Sequence, residues 1–348
     1  DAPPTVAAPS ALRRRLAWLR TSPQINVILF FLTFLTTTTA GAFHAAVNPF
    51  EHPSGLVHGL PFSCTLLLIL LCHELGHYTL ARYHGVPATL PFFMPAPPFL
   101  VGTFGAFIRM RGMPASRRAL FDVGAAGPWA GLVVAIPAVM LGLHWSEVRP
   151  LSQGLPGDLA LGNSLLFNAL SELVLGVGAD SATILLHPVA LAGWFGMFVT
   201  FLNLLPIGQL DGGHVVYALF GRRHAWIAWP SFFAVLYMTL LGWWGWLFFA
   251  GMLYLVVGVK HPDTVDATTP LDPKRRLAAW ATIAVFILTF MPAPFSEVQP
   301  PVEADSIRLE RPLDRQAPPA APWDSRGDVQ RQSIRFEQSA SPRAGSPT

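Results

Sequence analysis

The chain has 348 residues, 52% of them apolar and only 12% charged, with a formal charge of +3. Soluble domains carry about 25% Asp, Glu, Lys and Arg, and the deficit here is uneven, since residues 296–348 alone hold 15 of the charged side chains. A soluble enzyme, a disordered scaffold and a nucleic-acid binder are therefore poor readings, and several windows exceed the ~18 apolar residues of a membrane helix.

In chain order, a basic N-terminal segment at 1–24 precedes seven apolar stretches: 25–47, 56–81, 119–145, 188–206, 226–241, 243–259 and 277–291. They predict an all-α polytopic membrane protein of six to seven transmembrane helices filling residues 25–295. Cys64 and Cys72 fall in one helical run, about 12 Å apart along its axis and out of disulfide reach. The two short neighbours around Gly242 are expected to form a tight helical hairpin. Bases in the connections set the orientation: fifteen fall on the side of the N-terminal segment and one, Arg149, on the other. The N-terminal segment thus faces the cytoplasm, and the net charge records topology rather than an acidic ligand. The outside loop at 146–187 contains an amphipathic stretch, 163–176, expected as an interfacial helix. Residues 296–348, with eight prolines and mixed charge, are expected to be disordered.

Three acids remain inside or at the edge of the apolar stretches: Glu74, Asp122 and Asp211. An ionisable group there is costly unless paired or metal-bound, so each is a candidate for function. Asp122 is expected in the first turn of its helix, where a carboxylate complements the positive end. Glu74 belongs to His73-Glu74-Leu75-Gly76-His77, an HExxH pattern. Residues four apart share a helix face, so both imidazoles can ligate one metal ion. Glu74 lies between them in rotation, placed as a general base for water. Thirteen uncharged, mostly apolar residues precede the pattern, which rules out a solvated polar face.

A catalytic zinc takes three protein ligands and keeps one position open. The longer HExxHxxGxxH pattern is excluded, because Leu80 and Tyr83 stand where it needs Gly and His. Glu147 and Glu172 lie in the outside loop and fit poorly. Asp211, within Leu210-Asp211-Gly212-Gly213-His214, is the strongest third ligand, since loop charge puts it at the same cytoplasmic depth as His73. His214 is the alternative ligand, or a residue that orients Asp211 from behind. His84 is assigned to the interface, with His44, His52, His58, His144, His187, His224 and His261.

The HExxH pattern, with Asn203-Leu204-Leu205-Pro206-Ile207-Gly208-Gln209-Leu210-Asp211-Gly212 in a later stretch, resembles the site-2 protease family of intramembrane zinc metalloproteases. The second segment matches that family's NxxPxxxLDG pattern at each fixed position. Residues 102–110 (GTFGAFIRM) and 124–128 (GAAGP) also look like family elements. The resemblance covers a motif core of about 56–216. It is to the branch without an inserted PDZ domain, which includes plant plastid homologues and bacterial relatives.

The resemblance implies one Zn²⁺ held by His73, His77 and Asp211, with Glu74 as general base and Asn203 contacting substrate backbone or steadying the oxyanion. Its implied partners are the lipid bilayer and transmembrane protein substrates, not nucleic acid. Its implied location is the bacterial inner membrane with the site toward the cytoplasm, or alternatively a plastid membrane. A transmembrane substrate must unwind before hydrolysis. Residues 87–98 hold five prolines and cannot be helical. Residues 89–110 alternate enough for a small re-entrant β element near the active site, whose edge would take the unwound strand, or for an interfacial loop.

Two rival classes use the same residues: a transporter or channel passing protons or metal ions, and a catalytically inactive family scaffold. A permeation path needs no glutamate beside paired histidines, and no half-to-half repeat is evident. An inactive copy usually loses one of His73, Glu74, His77 and Asp211, and all four are present.

Overall fold

The computed structural model describes residues 23–99, 101–112, 114–149, 159–179, 182–241, 243–264, 266 and 268–297. Nearly all of the expected N-terminal segment, and the expected disordered tail beyond residue 297, lie outside the described residues.

Helix α1 spans Pro23–His44, α2 spans Leu60–Tyr83 after a 3₁₀ turn at Pro53–Gly59, and α3 spans Arg117–His144. Among the described residues, three helices are long and apolar enough to cross a membrane: α1, α2 with its preceding turn, and α3. The others are shorter: α4 Leu165–Leu175, α5 Pro188–Asn203, α6 Asp211–Phe220, α7 Ala225–Met238, α8 Gly245–Met252 and α9 Pro273–Leu288. Apolar stretches overstate helices because they run past helix ends. The stretch 188–206 includes three residues that leave α5 for the turn containing Pro206. At 16 residues each, α5 and α9 are about 24 Å long, short of a ~30 Å hydrocarbon core. The chain around Gly242 folds back as a hairpin. Phe232 on α7 and Tyr254 just past α8 bring their ring centroids to 6.0 Å, where a continuous helix would hold them about 33 Å apart.

Capping residues fix several helix starts. Ser116, Ser164 and Asp272 accept hydrogen bonds from the N–H groups of Ala119, Phe167 and Arg275 at 3.3, 3.1 and 3.1 Å. The amphipathic stretch becomes α4, closed by Gly176 at φ +71°. The described residues form three antiparallel two-stranded sheets, one within 89–110, where short strands are expected, and two beyond that expectation. Strand β1 (Phe92–Pro95) pairs with β2 (Thr103–Phe107), β3 (Glu147–Arg149) with β5 (Thr183–Leu185), and β4 (Leu159–Leu161) with β6 (Phe295–Glu297). The last two pairs are only three residues long, too short for alternation to announce them.

Helix α3 is central, packed against α2, α5 and α6. Phe62, Leu66 and Ile69 of α2 share one core with Ala135 and Val139 of α3 and Trp194, Met197 and Phe201 of α5. The outward faces are apolar as well, with Leu68 of α2 50% and Val133 of α3 71% exposed. Helices apolar on both faces suit a lipid surround. The β1–β2 hairpin is tied to α1. The Asn26 amide donates to the carbonyls of Leu90 and Pro91 at 2.9 and 2.8 Å, and the Thr36 hydroxyl donates to the Gly102 carbonyl at 2.7 Å.

Candidate active site

Helix α2 presents His73, Glu74 and His77, which are 3%, 5% and 7% exposed. The four-residue spacing sets both imidazoles on one face, with their Nε2 atoms 3.1 Å apart. The third element comes from far along the chain. Helix α5 ends at Asn203, the chain turns, and α6 begins at Asp211. Gly208 supports that turn at φ +52°, and its N–H donates to the Val259 carbonyl at 3.0 Å. Gly212 and Gly213 lie against the carbonyls of Leu204 and Gly208, where any side chain would collide. The fold-back delivers Asp211 Oδ2 to 3.3 Å from Nε2 of both His73 and His77.

These atoms form a triangle with edges of 3.1, 3.3 and 3.3 Å. The His77 Nδ1–H donates to the Val123 carbonyl at 2.7 Å, so a neutral imidazole points its Nε2 lone pair inward. The Asn203 amide nitrogen lies 3.2 Å from His73 Nε2 and meets a lone pair there. Acceptor atoms facing one another this closely are stabilised by a cation. Tetrahedral zinc with bonds of about 2.0–2.1 Å spaces its ligand atoms about 3.3–3.4 Å apart, so the donor set fits that ion. Among the described residues this is the His, Cys, Asp or Glu group able to share a metal.

Glu74 is turned toward the hairpin, where the backbone N–H of Ile108, just past β2, faces its carboxylate. The site's back wall is a face of α3. Gly124, Gly127 and Gly131 recur at three and four residues, and a methyl group at Gly124 would approach His214 Cβ to 2.6 Å. At Gly131 it would lie 3.3 Å from His73 Nδ1, and at Gly127 it would overlap the His77 ring. In sequence, Gly124 and Gly127 stand out only as part of the family-like 124–128 element, and Gly127 and Gly131 suit close helix packing. The structure shows that what they pack against is the site's own imidazoles.

Of the residues singled out from sequence, His73, Glu74, His77, Asn203 and Asp211 come together. His214 sits one turn beyond Asp211, and its Nδ1 lies 2.7 Å from Nε2 of His261. His261 and His224, assigned from sequence to the interface, are buried in the protein at 5% and 4% exposure, with Tyr217 stacked on His261 at 4.5 Å between centroids. A lone histidine gives no sequence sign of a partner 47 residues away. Asp122 is not in a first turn either, because α3 starts at Arg117. Its carboxylate instead takes two bonds from Arg275 at 2.8 and 2.7 Å and meets His84 Nε2 at 2.8 Å.

Arg117 is a further residue that sequence reasoning passed over as one topology charge among many. It is only 8% exposed. Its Nε and Nη2 donate to the Ala218 carbonyl at 2.9 and 2.6 Å, and Nη2 also donates to Leu219 at 2.8 Å. A cation on the last carbonyls of α6 complements its dipole, and α6 is the helix whose first residue is Asp211. Arg117 also opens α3, so it registers the two helices that enclose the site.

Comparison with known proteins accords with this geometry. The profile of peptidase family M50 matches residues 61–241, which include α2, α3, α5 and α6. The chain is 31% identical over 239 residues to the probable zinc metalloprotease EGY1, chloroplastic, of Oryza sativa subsp. japonica, covering 67% of this chain and 40% of the relative. The Arabidopsis thaliana protein of the same name is also 31% identical, covering 67% of this chain and 43% of the relative. The probable zinc metalloprotease EGY2, chloroplastic, of Arabidopsis thaliana is 32% identical over 183 residues, covering 51% and 32%. The chain thus spans less than half the length of these relatives. With more than half of its length matched, and both metal-facing helices inside the match, the chain belongs to peptidase family M50.

Proposed function

We propose that the chain is an intramembrane zinc metalloprotease that hydrolyses peptide bonds in or near transmembrane segments of membrane proteins. The observation that carries this reading is the triangle of His73, His77 and Asp211 with Glu74 one residue away on the same helix. Family membership and the relatives' names support it.

His73, His77 and Asp211 would hold Zn²⁺, which when bound supplies Lewis acidity to the scissile carbonyl and makes water nucleophilic near neutral pH. Glu74 takes the proton of the attacking water and returns it to the leaving amine. The amide of Asn203, which lies beside His73 Nε2, would serve the developing oxyanion or the substrate backbone. His214, bonded to His261, steadies α6 from behind Asp211.

The β1–β2 hairpin is read as the re-entrant element that receives the unwound substrate as an added strand. Its tie to α1 and the approach of Ile108 to Glu74 support that role. The fold reading behind it is six to seven spans in a domain at 25–295, with the shorter helices crossing a locally thinned bilayer, and no inserted PDZ domain. The site is placed toward the cytoplasmic or equivalent side by the loop charges. The relatives' chloroplastic names favour a plastid membrane over the bacterial inner membrane preferred from sequence. The test is full chain purified in detergent, incubated with a panel of single-span substrates beside Glu74→Gln. Cleavage by wild type alone is expected. Equal cleavage by both, or by neither across the panel, contradicts the reading.

A further inference from the structure

Away from the site, the cytoplasmic end of α2 and the hairpin border an open cavity of about 250 Å³, lined by Arg82, Thr89, Arg111, Asn26 and Pro23 among others. Arg82 lies in the last turn of α2, and Arg111 follows the far arm of the hairpin. The wall between them is paired backbone: Arg111 N–H donates to the Pro87 carbonyl at 2.8 Å, and Thr89 N–H to the Arg109 carbonyl at 3.0 Å. Among the described residues, the arginines in ion pairs are Arg149, Arg222 and Arg275, so both cavity guanidinium groups lack an acid. Among the described residues, no Asp or Glu lines the cavity. Thr89 Oγ1 accepts from Arg109 N–H at 3.1 Å, which leaves its hydroxyl proton to donate inward or outward.

A second observation adjoins the first. Helix α1 starts at this cavity with Pro23 and Asn26, then presents Val27, Ile28, Phe31, Leu32 and Leu35, all 46–63% exposed. Their spacing makes one outward apolar face. A cavity lined by two arginines therefore opens at the foot of an apolar stripe.

We propose that this cavity binds the phosphate of an anionic glycerophospholipid, whose acyl chain lies along α1. Guanidinium forks match phosphate oxygens two at a time. A zwitterionic headgroup would bring an ammonium to a cavity with no carboxylate among its described lining residues, and free phosphate would leave the stripe unused. The bound phosphate bridges the end of α2 to the arm of the hairpin, bracing the hairpin against the helix that carries His73. The assignment stands whether or not the chain is a protease.

The test is native mass spectrometry of the delipidated full chain in detergent, titrated with phosphatidylglycerol, phosphatidylcholine or inorganic phosphate. Wild type is expected to retain phosphatidylglycerol in preference to phosphatidylcholine. Arg111→Gln should weaken it about fivefold, and Arg82→Gln with Arg111→Gln about thirtyfold, at an unchanged melting temperature. Arg118→Gln with Arg223→Gln, which removes two exposed bases elsewhere, should leave it unchanged. Equal retention of both lipids, or an equal loss in the control pair, overturns the proposal. Inorganic phosphate displacing phosphatidylglycerol at equal concentration overturns the lipid assignment.

Discussion

Two clusters of histidine and carboxylate flank α2 and α3, and they differ in what completes them. Asp122 meets His84, but also Arg275, which Asp272 holds from its other side at 2.7 Å. A guanidinium stays protonated, so Asp122 has a fixed cation as partner. Asp211 meets His73 and His77, and His77 has already committed its Nδ1–H to Val123. What those imidazoles turn toward the carboxylate is a pair of lone pairs. The difference teaches that an acid at membrane depth marks a metal site when its neighbours are acceptors, and a structural joint when one is a fixed cation.

The sharpest way to break this comparison is at Glu74, which belongs to the site but not to the triangle. Glu74→Gln should retain zinc and lose about 10²–10⁴-fold in cleavage rate, measured by metal analysis and substrate turnover on one preparation. Loss of zinc together with activity would make Glu74 a ligand rather than the base. Next in size is the back wall. Gly127→Ala pushes a methyl group into the His77 ring and should weaken zinc about 10–100-fold, read by competition with a chelator. Unchanged affinity would mean the imidazole is not fixed by α3. In the other cluster, Arg275→Met leaves Asp122 partly buried with His84 as its remaining partner. It should cost about 2 kcal/mol of stability while zinc stoichiometry stays at the wild-type value.

The smallest effect lies in the connection after α8. Bonds from Arg222 and then Tyr217 hold the Asp263 carboxyl below the usual carboxylate range. Its contribution is present above the ordinary value near pH ~3.9 and is lost only as pH falls through the lower folded one. Amide exchange at 260–264, corrected for intrinsic rates, should therefore be level from pH 8 to 5 and rise below about pH 4. A rise already at pH 6 would point to a different titrating group.

What the sequence made legible follows from the range of each signal. HExxH is local, so helical periodicity alone put His73 and His77 on one face. Asp211 was legible through loop charge and the Asn203–Gly212 pattern, whereas the turn at Gly208 that delivers it was not. The partners of those residues were invisible because they are distant backbone or lone side chains. The Val123 carbonyl has no identity in sequence, and the His214–His261 and Arg117–Ala218 contacts each join separate elements. Helix ends were less legible for a different reason. Hydropathy measures composition, whereas helix length depends on where backbone hydrogen bonding stops, as it does at Asn203 before Pro206.

The two acids themselves give the most direct measurement. Zinc content per chain is compared for Asp211→Asn and Asp122→Asn, each purified as the full chain from zinc-supplemented cells. Three-ligand binding by His73, His77 and Asp211 predicts that Asp122→Asn keeps about one ion per chain and Asp211→Asn loses it. Equal zinc in the two variants would contradict it.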